Sequence, residues 1–136
     1  YMLSQLQLEY YKQNGFIGMN RQLFSPEKFK ELQADVMRVV NKHYAPDESN
    51  TLTTLQEKDP AFFKWAKSPE ILDQVEQIIG PNIGLWAVTL FLKRANSEKF
   101  VDWHCDSKVL QAYKAFHSLN HVALLVAITP NLKPQG

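Results

Sequence analysis

The 136-residue chain is predicted to be an α+β domain, helices first and strands second. Three observations predict it. Apolar residues recur at helical spacing up to about residue 80. The period shortens after Pro81. Serine or aspartate followed by proline opens three of the helical segments, and glycine closes two. Residues 1–136 are read as a single domain, with helices over about 4–80 and strands over about 81–136, the helices buttressing one face of a sheet.

The elements follow in order. "SQLQLEYYKQNG" begins at a capping Ser4, sets Leu6, Tyr10 and Tyr11 or their neighbours on one face, and ends where Gly15 can adopt the left-handed conformation. "FIGMNRQLF" reads as a short strand leading to a turn. "SPEKFKELQADVMRVVNKHY" has Ser25 as N-cap and Pro26 at the first helical position, with Phe29, Leu32, Val36 and Val39 or Val40 on one stripe. "SNTLTTLQEKDP" reads as a polar connection. Asp59 and Pro60 then start a short helix through Phe62, Phe63 and Trp65. Ser68 and Pro69 repeat the start signal for a helix whose Ile71, Leu72, Val75, Ile78 and Ile79 face inward until Gly80 and Pro81. "NIGLWAVTLFLK" is rich in β-branched and aromatic residues and is predicted to be a strand buried on both faces. "HVALLVAIT" is a second apolar strand, and "PNLKPQG" reads as a turn.

Bulk properties narrow the function classes. A chain of this length buries a core without staples. The formal charge of +1, with no basic stripe, argues against nucleic acid as a partner. No apolar run is long enough to span a bilayer, so no membrane partner is expected. The single cysteine, Cys105, forms no internal disulfide and no leader is evident, which makes the expected location cytoplasmic. Oligomeric state is not legible.

The chemistry concentrates in "FVDWHCDS", residues 100–107. In an extended chain His104 and Asp106 project to one side, about 6.6 Å apart along the backbone. Imidazole and carboxylate suit a first-row divalent metal. With one more histidine they form the facial triad that leaves positions open on Fe(II). Without further context a surface histidine beside a solvated aspartate is the more ordinary explanation of the pair, and Asp102 is consistent with a plain polar loop. Cys105 reads as a small buried hydrophobe. "HSLNH", His117 to His121, lacks the glutamate of a zinc protease motif. His43 suits a helix C-terminus. Trp65, Trp86 and Trp103 lie among apolar neighbours and read as core. Lys93, at the end of a strand, is either solvated or placed to meet the carboxylate of an anionic co-substrate.

The order of the pieces resembles the phytanoyl-CoA dioxygenase family of Fe(II)- and 2-oxoglutarate-dependent oxygenases. The similar stretches are "YYKQNGF", "LFSPEKFKEL", "SPEILDQVEQIIGPNIGLW", "FLK" and "DWHCDS", and the resemblance runs over essentially the whole chain. The resemblance implies a double-stranded β-helix, or jelly roll, behind N-terminal helices. It implies His104 and Asp106 as iron ligands, and 2-oxoglutarate as co-substrate with O2. The implied reaction hydroxylates a small organic molecule while 2-oxoglutarate is decarboxylated to succinate. A co-substrate pocket is expected beside Lys93 and Thr89. Leu125 stands where the family often has a tryptophan near the co-substrate.

Two elements of the family pattern have no counterpart here: the third ligand histidine and the arginine that grips 2-oxoglutarate. The closing jelly-roll strands are also not found, and the chain is expected to be the N-terminal part of a longer protein. The alternative function is a catalytically degenerate jelly-roll binding module.

Overall fold

The computed structural model describes residues 2–19, 21–46, 50–102, 104, 106 and 120–129. Five helices and two short strands follow in the order α1 (Gln5–Asn14), α2 (Pro26–His43), β1 (Asn50–Leu52), α3 (Leu55–Lys58), α4 (Pro60–Ala66), α5 (Pro69–Ile79) and β2 (Leu90–Leu92). The arrangement is a helical layer with a small sheet, compatible with the α+β class. Of the expected jelly roll, one two-stranded ladder is formed among the described residues. No helix among these residues is long and apolar enough to cross a membrane.

The capping signals work as the sequence suggests. Ser4 Oγ accepts from the Gln7 backbone N–H while the Gln7 side chain accepts from the Ser4 N–H, and Gly15 closes α1 at φ 77°. Ser25 caps α2 with Pro26 behind it, and the Asp59 carboxylate accepts from Ala61 N at 3.0 Å to start α4. Gly80 ends α5 at φ 87°.

The core lies against α2. Its stripe of Leu32, Val36, Val39 and Val40 is buried together with Phe24, Leu55, Phe62 and Trp65. Each such side chain removed from water contributes about 1.5–3 kcal/mol before conformational entropy is counted. Phe24 meets Trp65 edge-on at 5.6 Å between ring centroids. Polar bonds fix the geometry around this centre. Trp65 Nε1 donates to Asp35 Oδ2 at 2.7 Å, and Arg38 bridges Asp35 to Asp59, tying α2 to α4.

Several expectations change. The stretch "FIGMNRQLF" is irregular rather than a strand over its described residues, since Phe24 leaves it for the core and no neighbouring chain pairs with it. The face of α1 carrying Leu6 and Tyr10 stays exposed, and the segment is anchored instead by Leu3, whose backbone N–H and C=O both bond the Gln77 side chain. The supposed polar connection holds β1 and α3, and its Leu55 is 1% exposed. In α5, Val75 and Gln74 are buried, while Ile71, Leu72, Ile78 and Ile79 are half-buried.

The run "NIGLWAVTLFLK" is also covered on one face only. β2 pairs antiparallel with β1 in the register Asn50↔Leu92, Thr51↔Phe91, Leu52↔Leu90. Leu52, Leu90 and Leu92 pack on the helical core, whereas Phe91 points away and is 49% exposed. Trp86, expected in the core, is exposed. Trp65 is buried as expected, and Trp103 lies outside the described residues. From His121 to Thr129 burial alternates residue by residue. Val126 and Ile128 lie on the core and Leu125 is 82% exposed, the pattern of an extended chain covered on one side.

Candidate metal centre

Helix side chains hold both extended segments in place. Gln33 of α2 donates from Nε2 to the Ile128 carbonyl at 2.8 Å. Val88 exchanges bonds with α3: its N–H donates to Gln56 Oε1 at 2.9 Å, and its carbonyl accepts from Leu55 N at 3.0 Å. With the apolar residues of each segment turned toward the helices, alternation puts Thr89, Phe91 and Lys93 on the far side of one. His121, Ala123, Leu125, Ala127 and Thr129 take the far side of the other. Thr89, Lys93 and Leu125 are therefore all exposed and all turned from the core. Among the described residues no hydrogen bond or ion pair joins the three.

Beyond β2 the chain turns through Asn96, which takes the left-handed conformation at φ 61° that asparagine tolerates, and continues to the His104 motif. There His104 Nε2 and Asp106 Oδ1 stand 3.3 Å apart. The side chains are 48% and 52% exposed, so the pair is open to an entering ion. The other ring nitrogen, Nδ1, lies 2.7 Å from the Asp102 carbonyl oxygen. A carbonyl only accepts, so this contact places a proton on Nδ1 and turns Nε2 toward Asp106 Oδ1.

Asp102 thus enters the site through its backbone, where the sequence showed a loop carboxylate. The i, i+2 contact has no side-chain signature by which it could have been read. Among the described residues no group of three or more histidine, cysteine, aspartate or glutamate side chains is gathered to hold a metal. His121 sits on the exposed side of its segment, while His117 and Cys105 fall outside the described residues. Elsewhere two carboxylates are held in ion pairs. The Arg38 guanidinium holds the Asp59 carboxyl below the ordinary carboxylate range, and the Lys28 ammonium does the same for Glu70.

An exposed His–Asp edge on a helix-backed α+β domain defines a class of candidate metal-binding protein, and comparison with known sequences sharpens it. The sequence model of the family described as phytanoyl-CoA dioxygenase (PhyH) matches residues 11–136. The chain belongs to that family, whose members are generally Fe(II)- and 2-oxoglutarate-dependent oxygenases. No curated protein and no solved structure matches the chain.

Proposed function

We propose that this chain carries the iron-binding edge of a non-haem Fe(II)- and 2-oxoglutarate-dependent dioxygenase that hydroxylates a small organic substrate. The observation that carries the reading is the 3.3 Å separation of His104 Nε2 and Asp106 Oδ1, in a chain of this family, with Nδ1 engaged by Asp102. A first-row divalent ion held at about 2.1 Å by two adjacent ligands sets their donor atoms about 3 Å apart, so the pair needs little rearrangement to close on one. Bound there, ferrous iron would supply the activation of O2 that couples decarboxylation of 2-oxoglutarate, to succinate, with hydroxylation of a C–H bond.

The chain's own residues have simpler tasks. The Asp102 carbonyl orients the imidazole and fixes the tautomer, which presents Nε2 to the ion. The Asp106 carboxylate offsets part of the ion's charge. The exposed ammonium of Lys93 and the hydroxyl of Thr89 are assigned to the anionic co-substrate, and Leu125 supplies an apolar wall.

Calorimetric titration of Fe(II) under anaerobic conditions, with Co(II) as a redox-inert stand-in, tests the metal assignment. Binding should fall severely in both His104→Ala and Asp106→Ala, and wild-type binding in both variants would refute the site. His121→Ala asks whether this chain adds a third ligand. Metal and 2-oxoglutarate binding without oxygen-dependent succinate release would instead identify a degenerate binding module.

A further inference from the structure

The first helix is attached to the rest of the chain unlike the others. α1 has ten residues and buries none of them. Leu6 is 78% exposed, and among the described residues no apolar side chain before Leu23 packs on the core around α2. The helix bonds chiefly to itself. Ser4 and Gln7 close its capping box, Gln5 bonds Glu9, and Asn14 Nδ2 donates to the Tyr10 carbonyl at 2.9 Å. Tyr10 and Phe16 meet edge-on at 6.0 Å between ring centroids, and both are exposed.

The attachment lies just ahead of the helix. Leu3 is 5% exposed, and the Gln77 side chain of α5 takes both of its main-chain groups. Leu3 N–H donates to Gln77 Oε1 at 2.6 Å, and Gln77 Nε2 donates to the Leu3 carbonyl at 3.0 Å. One amide thus grips a residue 74 positions away through its donor and its acceptor together. Within α1 only partial cover is added, by half-buried Gln7, Leu8 and Tyr11. After Gly15, left-handed at φ 77°, an irregular stretch leads to Pro26 at the start of α2. A helix this short is marginal on its own in water, so it depends on tertiary contact. Elements with few buried apolar contacts also open at free energies well below that of global unfolding.

We propose that residues 2–15 form a strap latched by Gln77: α1 is helical while the Gln77 amide holds Leu3, and melts as a unit when it lets go, with α2–α5 still folded. Leu3 adjoins the N-cap Ser4, so the grip on Leu3 fixes the point from which the capping box starts the helix. Release brings to water the surface that Leu3 now covers and frees the Gln77 amide for another extended chain. The state of the strap therefore controls access to that side of α5, an order–disorder device built into the fold. Neither Leu3 nor Gln77 belongs to the segments bearing His104, Asp106, Thr89, Lys93 or Leu125, so the inference stands apart from the oxygenase reading.

Amide hydrogen exchange of the ¹⁵N-labelled chain tests it, with Gln77→Ala as the released form. Alanine is the best helix former, so this substitution leaves α5 intact and removes the two bonds to Leu3. In the wild type, the amides of residues 8–15 should be protected at least about 100-fold less than those of residues 36–40 in α2. In Gln77→Ala their protection should fall at least about tenfold further, while exchange in α2 stays as it was. The Cα shifts of residues 5–14 should move toward unfolded values in the same variant. Equal protection of α1 and α2 in the wild type, unaltered exchange of α1 in Gln77→Ala, or loss of protection in α2 along with α1 would overturn the proposal.

Discussion

The helical layer and the extended segments solve the same packing problem to different degrees. In the layer, α2, α3 and α4 enclose Val39, Val40, Leu55, Phe62 and Trp65, and Asp35, Arg38 and Asp59 join the helices by polar bonds. In the segments 81–102 and 120–129, one side packs on that layer while Phe91, Trp86 and Leu125 face outward. The residues proposed for the co-substrate belong to the second region, and those proposed for iron, His104 and Asp106, follow closely on its first segment. The buried core and the proposed chemistry are thus lodged in different parts of the chain. Substitutions at the site can be read without the confusion of unfolding, and core substitutions cannot.

The sharpest way to break that comparison is a pair of truncations, one in each region. Phe62→Ala empties a site that is 2% exposed and should cost about 3–5 kcal/mol in denaturant unfolding, enough to abolish folding of a marginal domain. Leu125→Ala should cost less than about 0.5 kcal/mol, because little of that side chain leaves water in the first place. A loss above about 2 kcal/mol at Leu125 would show that its face is covered in solution and that the contrast is false.

Next in size is the metal edge. His104→Ala and Asp106→Ala should each lower Fe(II) affinity at least about 100-fold, or about 2.8 kcal/mol of binding, with the unfolding midpoint unchanged. Both side chains are half-exposed and neither belongs to the buried core. Lost stability with retained metal would reverse the assignment of roles. A smaller effect is expected at Lys93, where replacement by alanine should raise the Kd for 2-oxoglutarate about three- to tenfold in calorimetry. An exposed ammonium contributes little more than that through a screened contact. An unaltered Kd removes Lys93 from the pocket.

What the sequence made legible tracks this division. Helix ends were readable because capping is local: Ser4, Ser25, Asp59, Gly15 and Gly80 each act within a few residues of themselves. Leu55 was missed because a single apolar residue among threonines and charges has no period, although it becomes one of the most deeply buried side chains. The run from Ile83 to Leu92 was over-read because apolarity shows what a strand prefers and not how many layers cover it. At the metal edge, the i, i+2 spacing of His104 and Asp106 was visible. The Asp102 carbonyl was not, since backbone contacts leave no mark in residue type. Ser68 shows the same limit: it opens the same Ser-Pro-Glu motif as Ser25, which caps α2, yet its hydroxyl makes no capping bond.

The smallest expected effect is electrostatic and confined to the helical layer. Asp59, bonded to Arg38 and to the Ala61 N–H, and Glu70, bonded to Lys28, both have folded-state pKa values below the ordinary range. In the unfolded chain such carboxyls take up protons near about pH 4. For groups depressed on folding, the stabilisation is fully present above that value and is lost as pH falls further, through the lower folded-state pKa. Stability should therefore be flat on this account near neutrality and decline below about pH 4. The decline will be modest, because these pairs lie near the surface and solvent screens them. Lys28→Met removes the cause of the Glu70 shift. It should cost at most about 1 kcal/mol at neutral pH and nothing once Glu70 is protonated in both states, so that wild type and variant converge in acid. Denaturant midpoints measured for both proteins across this range decide the matter. If the two curves run parallel into acid, the pair contributes nothing, and the attachment of α5 to α2 rests on apolar contact alone.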